Sequence, residues 1–156
     1  MTEVTGGMAP SIILCDEHAL FRDALVALLE QQPGWRVIAV AAEGGEAAQL
    51  AAQLRPDLVV LDVAMSAMSG IEVAESIHRE TPKTGIVALS IYGHAHYLRR
   101  MLKAGAGAYV LKTEAGRELV HAINCVLQGE TYVSPALQEM ALGRVRERAS
   151  PDPTRL

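Results

Sequence analysis

The chain has 156 residues, half of them hydrophobic, and a formal net charge of −4 at pH 7. This length allows one domain with a substantial core, and an aromatic content of only 4% leaves that core mainly to aliphatic side chains. The net charge argues against a nucleic-acid-binding surface, and no apolar stretch approaches the length of a membrane span. The first ten residues lack the apolar core of a signal peptide. We therefore expect a cytoplasmic protein whose cysteines, Cys15 and Cys125, are reduced and buried.

Five short apolar runs alternate with five amphipathic patterns along the chain. The predicted strands are, in order, residues 11–15, 35–41, 58–61, 86–90 and 108–111. The predicted helices cover about residues 18–32, 45–54, 71–80, 95–104 and 115–127, and proline or glycine follows most of them. Strict alternation of this kind predicts a parallel sheet with helices on both faces and right-handed crossovers.

The two ends of the chain lie outside this alternation. Residues 1–10 are expected to form a flexible arm. Ser134 followed by Pro135 has the composition of an N-cap with proline at the first helical position, which predicts a short extra helix within residues 130–142. Residues 143–156 are rich in arginine and proline, and we interpret them as a linker.

Charged residues follow three of the predicted strands. Asp16 and Glu17 follow the first, Asp62 follows the third and Lys112 follows the fifth. Because the carboxyl ends of parallel strands form one crevice, these three carboxylates and one ammonium are expected to meet there. Such a site can hold a hard divalent cation and support phosphoryl transfer. Each residue taken alone is more often a cap or a solvated strand end, so the hypothesis rests on their joint positions.

Over about residues 11–129, the chain resembles the receiver domain of two-component response regulators. The segment Met65 to Gly70 is similar to the family's Met-Pro-x-Met-x-Gly loop, and residues 15–18, 89–92 and 107–112 are similar to the NarL/FixJ (LuxR-type) subfamily. The matching positions are Asp16, Glu17, Asp62, Ser90, Tyr109 and Lys112. The resemblance implies a doubly wound, flavodoxin-like α/β fold, with five parallel strands in the order 2-1-3-4-5 and helices on both faces.

The resemblance also implies a role for the residues at the strand ends. Asp62 is expected to be the phosphoacceptor, and Lys112 and Ser90 are expected to bind the phosphoryl oxygens. Ser90 and Tyr109 are expected to form a conformational switch, with Tyr109 turning inward after Ser90 has moved toward the phosphoryl group.

A magnesium site and two residues that tune the phosphate lifetime are implied in the same way. Mg²⁺ is expected to bind Asp16, Glu17, Asp62 and the backbone carbonyl of Ala64. Ala64 and Tyr92 lie two residues after the phosphoacceptor and the switch serine, where the family controls the access of water to the acyl phosphate. Ala64 has no side-chain group to orient water, and Tyr92 is bulky enough to shield the acyl phosphate. We therefore expect slow autodephosphorylation.

The implied function is that of a phospho-accepting receiver of a transcriptional regulator. It would take its phosphoryl group from a histidine kinase, catalyse only its own phosphorylation and dephosphorylation, and form a homodimer. Members of the subfamily usually bind DNA through a helix-turn-helix domain after a linker, and this chain ends at Leu156, where that domain would be expected to begin.

Three departures from the family pattern leave an alternative open. Ser66 replaces the usual proline, Glu17 stands where many members have aspartate, and Thr113 follows Lys112 where other branches have a cis proline. Ser66 and Glu17 are compatible with a degenerate receiver that is not phosphorylated and acts as a protein-interaction module. A flavodoxin-like cofactor binder is disfavoured, because the acidic residues that follow the first strand would repel a phosphate group.

Overall fold

The computed structural model describes residues 9–65, 68–91 and 93–138, in which strands and helices alternate. The elements are β1 (Ser11–Cys15), α1 (Ala19–Glu30), β2 (Arg36–Ala41), α2 (Gly44–Leu54), β3 (Leu58–Asp62), α3 (Gly70–Glu80), β4 (Gly85–Ser90), α4 (Ala95–Lys103), β5 (Ala108–Leu111), α5 (Ala115–Leu127) and β6 (Tyr132–Val133). A 3₁₀ turn, Lys112–Glu114, joins β5 to α5. The bounds of the first five strands and five helices lie within two residues of the predicted ones.

The strands form one parallel sheet in the order β2-β1-β3-β4-β5-β6. The order predicted for the first five strands is confirmed, and β6 is an additional strand at the β5 edge. The sequence did not predict β6, because two residues are too few to show a period. The extra helix predicted within residues 130–142 begins only at residue 135, because β6 and its flanking residues occupy 130–134. Residues 135–138 are helical, and residues 139–142 lie outside the described residues.

The predicted terminal segments also lie largely outside the described residues, which exclude residues 1–8 and 143–156. Of the predicted arm, Pro10 is buried. Its carbonyl oxygen accepts a hydrogen bond of 3.2 Å from the N–H of Arg36. Regular contacts therefore begin before Ser11.

Two apolar layers cover the two faces of the sheet, as the alternation predicted. Along β3, Leu58 and Val60 face α1 and α5, whereas Val59 and Leu61 face α2, α3 and α4. All five residues of β3 are buried, which explains why its sequence is a continuous apolar run instead of an alternating one. The buried strand holds its last residue, Asp62, rigidly at the carboxyl edge.

Leu20, Ala24 and Leu54 belong to the apolar faces that a 3.6-residue period predicts for the first two helices, but they are exposed. Leu20 of α1 is 85% exposed and Leu54 of α2 is 46% exposed, and Ala24 is exposed as well. The buried stripe of α1 is narrower than its apolar composition suggests, because the helix packs mainly through Leu25 and Leu29.

The two cysteines are free thiols in different surroundings. Cys15 is buried as expected, whereas Cys125 is only half-buried. The Cys15 Sγ lies 3.4 Å from the Met65 Sδ and 3.5 Å from the carbonyl oxygen of Glu43. Burial raises the pKa of the Cys15 thiol to about 12, and the nearby Asp62 and Asp16 act in the same direction. Cys15 is therefore protonated at neutral pH.

None of the helices within the described ranges combines the length and the apolar character that crossing a bilayer requires. The cytoplasmic location expected from the sequence stays a prediction.

Candidate functional site

Asp16, Asp62 and Lys112 meet at the carboxyl edge of the sheet, as the sequence predicted. Asp62 ends β3, Asp16 follows the neighbouring β1, and both are almost completely buried. The Lys112 Nζ lies 2.7 Å from the Asp16 Oδ2 and 3.1 Å from the Asp62 Oδ2, with its side chain only 10% exposed. Three chain segments that are far apart in sequence thus place two acids and one ammonium within contact distance.

The electrostatics of the site depend on how burial and these charges combine. Burial raises the pKa of Asp62, the negative charge of Asp16 raises it further, and Lys112 opposes both effects. For Lys112 itself, burial would lower the pKa, but its contacts with Asp16 and Asp62 outweigh burial and raise it. Lys112 is therefore charged at neutral pH, whereas Asp62 resists ionisation more than an exposed carboxyl does.

Asp16 is fixed by its neighbours in the loop after β1. The backbone N–H of His18 donates to the Asp16 Oδ1 at 2.8 Å, and the His18 Nδ1 lies 3.2 Å from the same oxygen. The Arg22 Nη1 donates to the backbone carbonyl of Asp16 at 2.6 Å. The Asp16 Oδ2, by contrast, is buried and has no hydrogen-bond partner among the described residues, apart from its ion-pair contact with Lys112.

The acidic pocket has the donors that a divalent cation needs. One ligand atom from each of Asp16, His18 and Asp62 can be chosen so that the three lie within 4.8 Å of one another. The buried Asp16 Oδ2 without a hydrogen bond is the kind of oxygen that a hard cation would satisfy. His18 was not predicted to be a ligand, although its position two residues after Asp16 was a signal in the sequence.

Two other predicted ligands are placed differently. Glu17 is exposed and is not part of the Asp16, His18 and Asp62 cluster. Ala64 contacts the site through its backbone N–H, which donates to the Asp62 Oδ1 at 3.1 Å. Metal binding by Glu17 and by the Ala64 carbonyl stays a prediction. Tyr92, predicted to tune the phosphate lifetime, lies outside the described residues, as does Ser66.

Ser90 and Tyr109, the predicted switch pair, are already in contact. Both are completely buried, and a side-chain hydrogen bond joins them. Burial raises the pKa of Tyr109, and this hydrogen bond partly offsets the effect. The Tyr109 side chain lies inside in this structure, and its inward turn after phosphorylation stays a prediction.

Phe21 was not among the residues predicted to lie at the site. Its ring lies beneath the Lys112 ammonium, with 4.7 Å between the Nζ and the ring centroid. This is the distance of a cation–π contact. Phe21 lies in the first turn of α1. The segment from the end of β1 to the start of α1 therefore brings both Asp16 and this ring to Lys112.

Gly70 explains how the loop after Asp62 returns to the sheet. A Cβ at this position would lie 2.6 Å from the Asp62 carbonyl oxygen and 2.6 Å from the Val63 Cα, which are both backbone atoms. The N–H of Gly70 donates to the Val63 carbonyl at 2.9 Å, and Ser69 with Glu72 forms a capping box at the start of α3. All peptide bonds within the described ranges are trans, including the one between Lys112 and Thr113 that the sequence left open.

Comparison with known proteins decides what this arrangement is. Residues 12–124 match the response regulator receiver domain. The chain belongs to this family. A crystal structure of a LuxR-family two-component response regulator from Aurantimonas sp. SI85-9A1 superimposes on this receiver with a TM-score of 0.83 and 34% identity, covering 88% of this chain and 99% of that one. The family and the LuxR-type subfamily predicted from the sequence are therefore confirmed.

Curated relatives are longer than this receiver. The oxygen regulatory protein NreC from Staphylococcus epidermidis (strain ATCC 12228) is 38% identical over 127 residues, which are 81% of this chain and 58% of that protein. The transcriptional regulatory protein LiaR from Bacillus subtilis is 35% identical over 137 residues, which are 88% of this chain and 63% of that protein. The chain thus spans about three-fifths of the length of these relatives. Receiver domains bind Mg²⁺ at the acidic pocket, which in this chain contains Asp16 and Asp62.

Proposed function

We propose that this receiver accepts a phosphoryl group on Asp62 from the phosphohistidine of a histidine kinase, and that this reaction changes its conformation and dimerisation. The observation that supports the proposal best is the buried contact of Lys112 with both Asp62 and Asp16. A purely structural ion pair needs one acid for one base. Here two acids share one ammonium, so the site has an excess of negative charge that suits a divalent cation.

Asp16 and Asp62 would hold Mg²⁺, with Glu17 and the Ala64 carbonyl as further predicted ligands. The ion supplies charge neutralisation for the phosphoryl oxygens as they approach two carboxylates. The contact that a cation would replace at the buried Asp16 Oδ2 is the one with the Lys112 ammonium, at 2.7 Å. The backbone N–H of Ala64 keeps Asp62 oriented at the end of β3.

In the transfer step, a carboxylate oxygen of Asp62 attacks the phosphorus of the phosphohistidine. The new O–P bond forms as the P–N bond breaks, and the bonding electron pair returns to the imidazole nitrogen of the kinase. Lys112, which keeps its charge despite burial because its contacts with Asp16 and Asp62 raise its pKa, moves from the aspartates to a phosphoryl oxygen. Ser90 donates its hydroxyl proton in a hydrogen bond to another phosphoryl oxygen, at the expense of its bond with Tyr109.

The alternative function is a receiver that is not phosphorylated and acts through protein contacts alone. Glu17 gives it some support, because this residue is exposed and lies outside the cluster of Asp16, His18 and Asp62. Under this alternative, Lys112 would stay in its ion pair with Asp16 and Asp62 permanently.

Incubation with acetyl phosphate and Mg²⁺, followed by intact mass spectrometry, separates these functions. We expect the wild-type chain to gain the mass of one phosphoryl group and the Asp62→Asn variant to gain none. An Asp23→Asn variant, which changes an exposed aspartate of α1, is the matched control and should be modified like wild type. An unmodified wild-type chain that still binds Mg²⁺ would support the alternative.

Two further roles come from the relatives and are part of the proposal. DegU and LiaR are named as transcriptional regulatory proteins. We infer the same role for a longer protein in which residues 11–129 are the receiver, a short extra helix begins at residue 135 after β6, and residues 143–156 form a linker. DNA contact would then lie outside this receiver. Small Ala64 and bulky Tyr92 would give the acyl phosphate a half-life longer than seconds.

A further inference from the structure

The chain continues past the part that matches the receiver family, and this continuation is built into the sheet. The family match ends at residue 124. β6 pairs in parallel with β5, with Tyr132 opposite Ala108 and Val133 opposite Tyr109. We call residues 132–138 the edge segment. It covers the side of β5 that would otherwise be an open sheet edge.

Ser134 attaches the edge segment to the domain by three hydrogen bonds. Its N–H donates to the Tyr109 carbonyl oxygen at 3.0 Å, and its Oγ accepts from the Leu111 N–H at 3.2 Å. Its hydroxyl donates to the Glu118 Oε1 of α5 at 2.5 Å. Ser134 is completely buried, so water does not compete for these bonds. Leu137, 1% exposed, packs in the same apolar layer as Tyr109.

The residues that hold Ser134 are neighbours of the reacting site. Tyr109 carries the side chain that is hydrogen-bonded to Ser90. Leu111 directly precedes Lys112, whose ammonium contacts both buried aspartates. β5 is only four residues long. Tyr109 thus lies in the short strand that anchors Ser134, and Lys112 directly follows it.

We propose that the edge segment is a latch controlled by Asp62. The latch is closed on β5 through Ser134 while Asp62 is unmodified. When Lys112 and Ser90 turn to the phosphoryl oxygens, the Leu111 N–H and the Tyr109 carbonyl move away from Ser134 and the latch opens. The inference rests on the proposed function, and it carries the state of Asp62 to the residues that follow the edge segment.

Amide hydrogen exchange of the complete chain, followed by NMR with and without Mg²⁺ and beryllofluoride, tests the latch. Beryllofluoride stands for the phosphoryl group on Asp62. We expect the Ser134 and Leu111 amides to exchange roughly tenfold faster when it is bound. The Val73 amide, which donates to Ser69 inside α3, is the internal control and should not change.

Variants of Ser134 and of its partner Glu118 distinguish a latch from general loosening. In Ser134→Ala the Leu111 amide should exchange fast even without beryllofluoride, and beryllofluoride should bind a few-fold more tightly, because coupling between two sites is reciprocal. Glu118→Ala should act in the same direction, and Glu118→Gln, which keeps an acceptor oxygen, should restore the wild-type response. Gln138→Ala removes a bond that stays inside the edge segment and is the matched control.

Two results would overturn the inference. One contradicts the latch alone, and the other contradicts the proposed function as well. If the Asp62 and Ala64 resonances shift with beryllofluoride while Ser134 and Leu111 exchange at unchanged rates, the latch is wrong and the proposed function stands. If the Asp62 and Ala64 resonances do not respond, the proposed function fails and the latch fails with it. Should Ser134→Ala not fold, the Glu118 pair gives the same decision.

Discussion

Lys112 lies closer to Asp16 than to Asp62, the residue that we propose to be phosphorylated. The Nζ is 2.7 Å from the Asp16 Oδ2 and 3.1 Å from the Asp62 Oδ2. The resting ammonium thus occupies the side of the pocket where a cation would sit. Binding of Mg²⁺ and transfer of the phosphoryl group would both move Lys112 away from Asp16, so the ion and the ammonium exchange places.

The first prediction concerns removal of this ammonium. Lys112→Met keeps an unbranched apolar side chain, one atom shorter, but leaves Asp16 and Asp62 as adjacent buried carboxylates. We expect the free energy of unfolding to fall by about 3 kcal/mol, since breaking one side of a buried ion pair strands the remaining charge. Urea denaturation without Mg²⁺ measures it. Lys103→Met, at an exposed position of α4, is the control and should change little. Equal effects of the two variants would contradict the central role of Lys112.

The pH dependence of stability should identify the cost of ionising Asp62. Burial, with help from Asp16, raises the pKa of Asp62 above its ordinary value of 3.8. The pKa of Asp62 is thus higher in the folded chain than in the unfolded chain. The protonated carboxyl contributes fully to stability below the unfolded pKa, and this contribution is lost as the pH rises through the folded pKa. We expect Asp62→Asn to be more stable than wild type at pH 7 and this advantage to shrink toward pH 4. Denaturation across this range tests it, and a less stable Asp62→Asn at pH 7 would be the opposite result.

The hydrogen bond between Ser90 and Tyr109 should contribute to both stability and switching. Ser90→Ala leaves the buried Tyr109 hydroxyl without this partner, and we expect a loss of about 1–3 kcal/mol in the free energy of unfolding. Tyr109→Phe removes the hydroxyl itself and should cost less. Calorimetry or urea unfolding gives both values. A Ser90→Ala variant that still responded fully to beryllofluoride in its NMR spectrum would count against the proposed switch.

The contact between Phe21 and Lys112 should be measurable as a coupling energy. We expect a double-mutant cycle of Phe21→Leu and Lys112→Met to give about 0.5–1 kcal/mol of interaction, because the ring and the ammonium are partly shielded from water. Phe21→Tyr keeps an aromatic face and should retain most of it. Additive effects of the two substitutions would show that Phe21 contributes packing only.

Two glycines offer a matched test of backbone geometry at the site. Gly70→Ala would force the new Cβ against the backbone of Asp62 and Val63, and we expect a loss of about 1–3 kcal/mol. Gly116→Ala lies in α5 with nothing within 4 Å of the new Cβ, and should stabilise the chain by about 0.5–1 kcal/mol. Thermal unfolding of both variants measures the difference. Rates of phosphorylation should fall only in Gly70→Ala.

The parts of the site that were predictable from sequence are those fixed by topology. Asp16, Asp62 and Lys112 follow strands, and the parallel sheet alone brings strand ends together. His18 and Phe21 were not assigned to the site, because the directions of their side chains depend on how the loop after β1 turns. Neither the alternation nor the resemblance contains that information.

Two other differences between the predicted and the observed structure, at Leu20 and at β6, both arise from packing between elements. The apolar face of α1 includes Leu20, which predicts that this side chain is buried. How much of that face is covered, however, depends on where the neighbouring strands and helices end, and Leu20 is left exposed. β6 is too short for a periodic pattern, and it forms because Ser134 finds three partners on β5 and α5. Such partners are set by the assembled fold and not by local sequence.

The different surroundings of Cys15 and Cys125 make Cys125 a natural site for labelling with a thiol reagent. Since the Cys15 thiol stays protonated in the core and maleimides react with thiolates, a fluorescent or spin label added at neutral pH should attach to Cys125 alone. Cys125 lies near the C-terminal end of α5, and its backbone carbonyl accepts a hydrogen bond from Glu130, just before the edge segment. Spectroscopy on the native sequence, without engineered cysteines, could therefore follow this end of the molecule in real time.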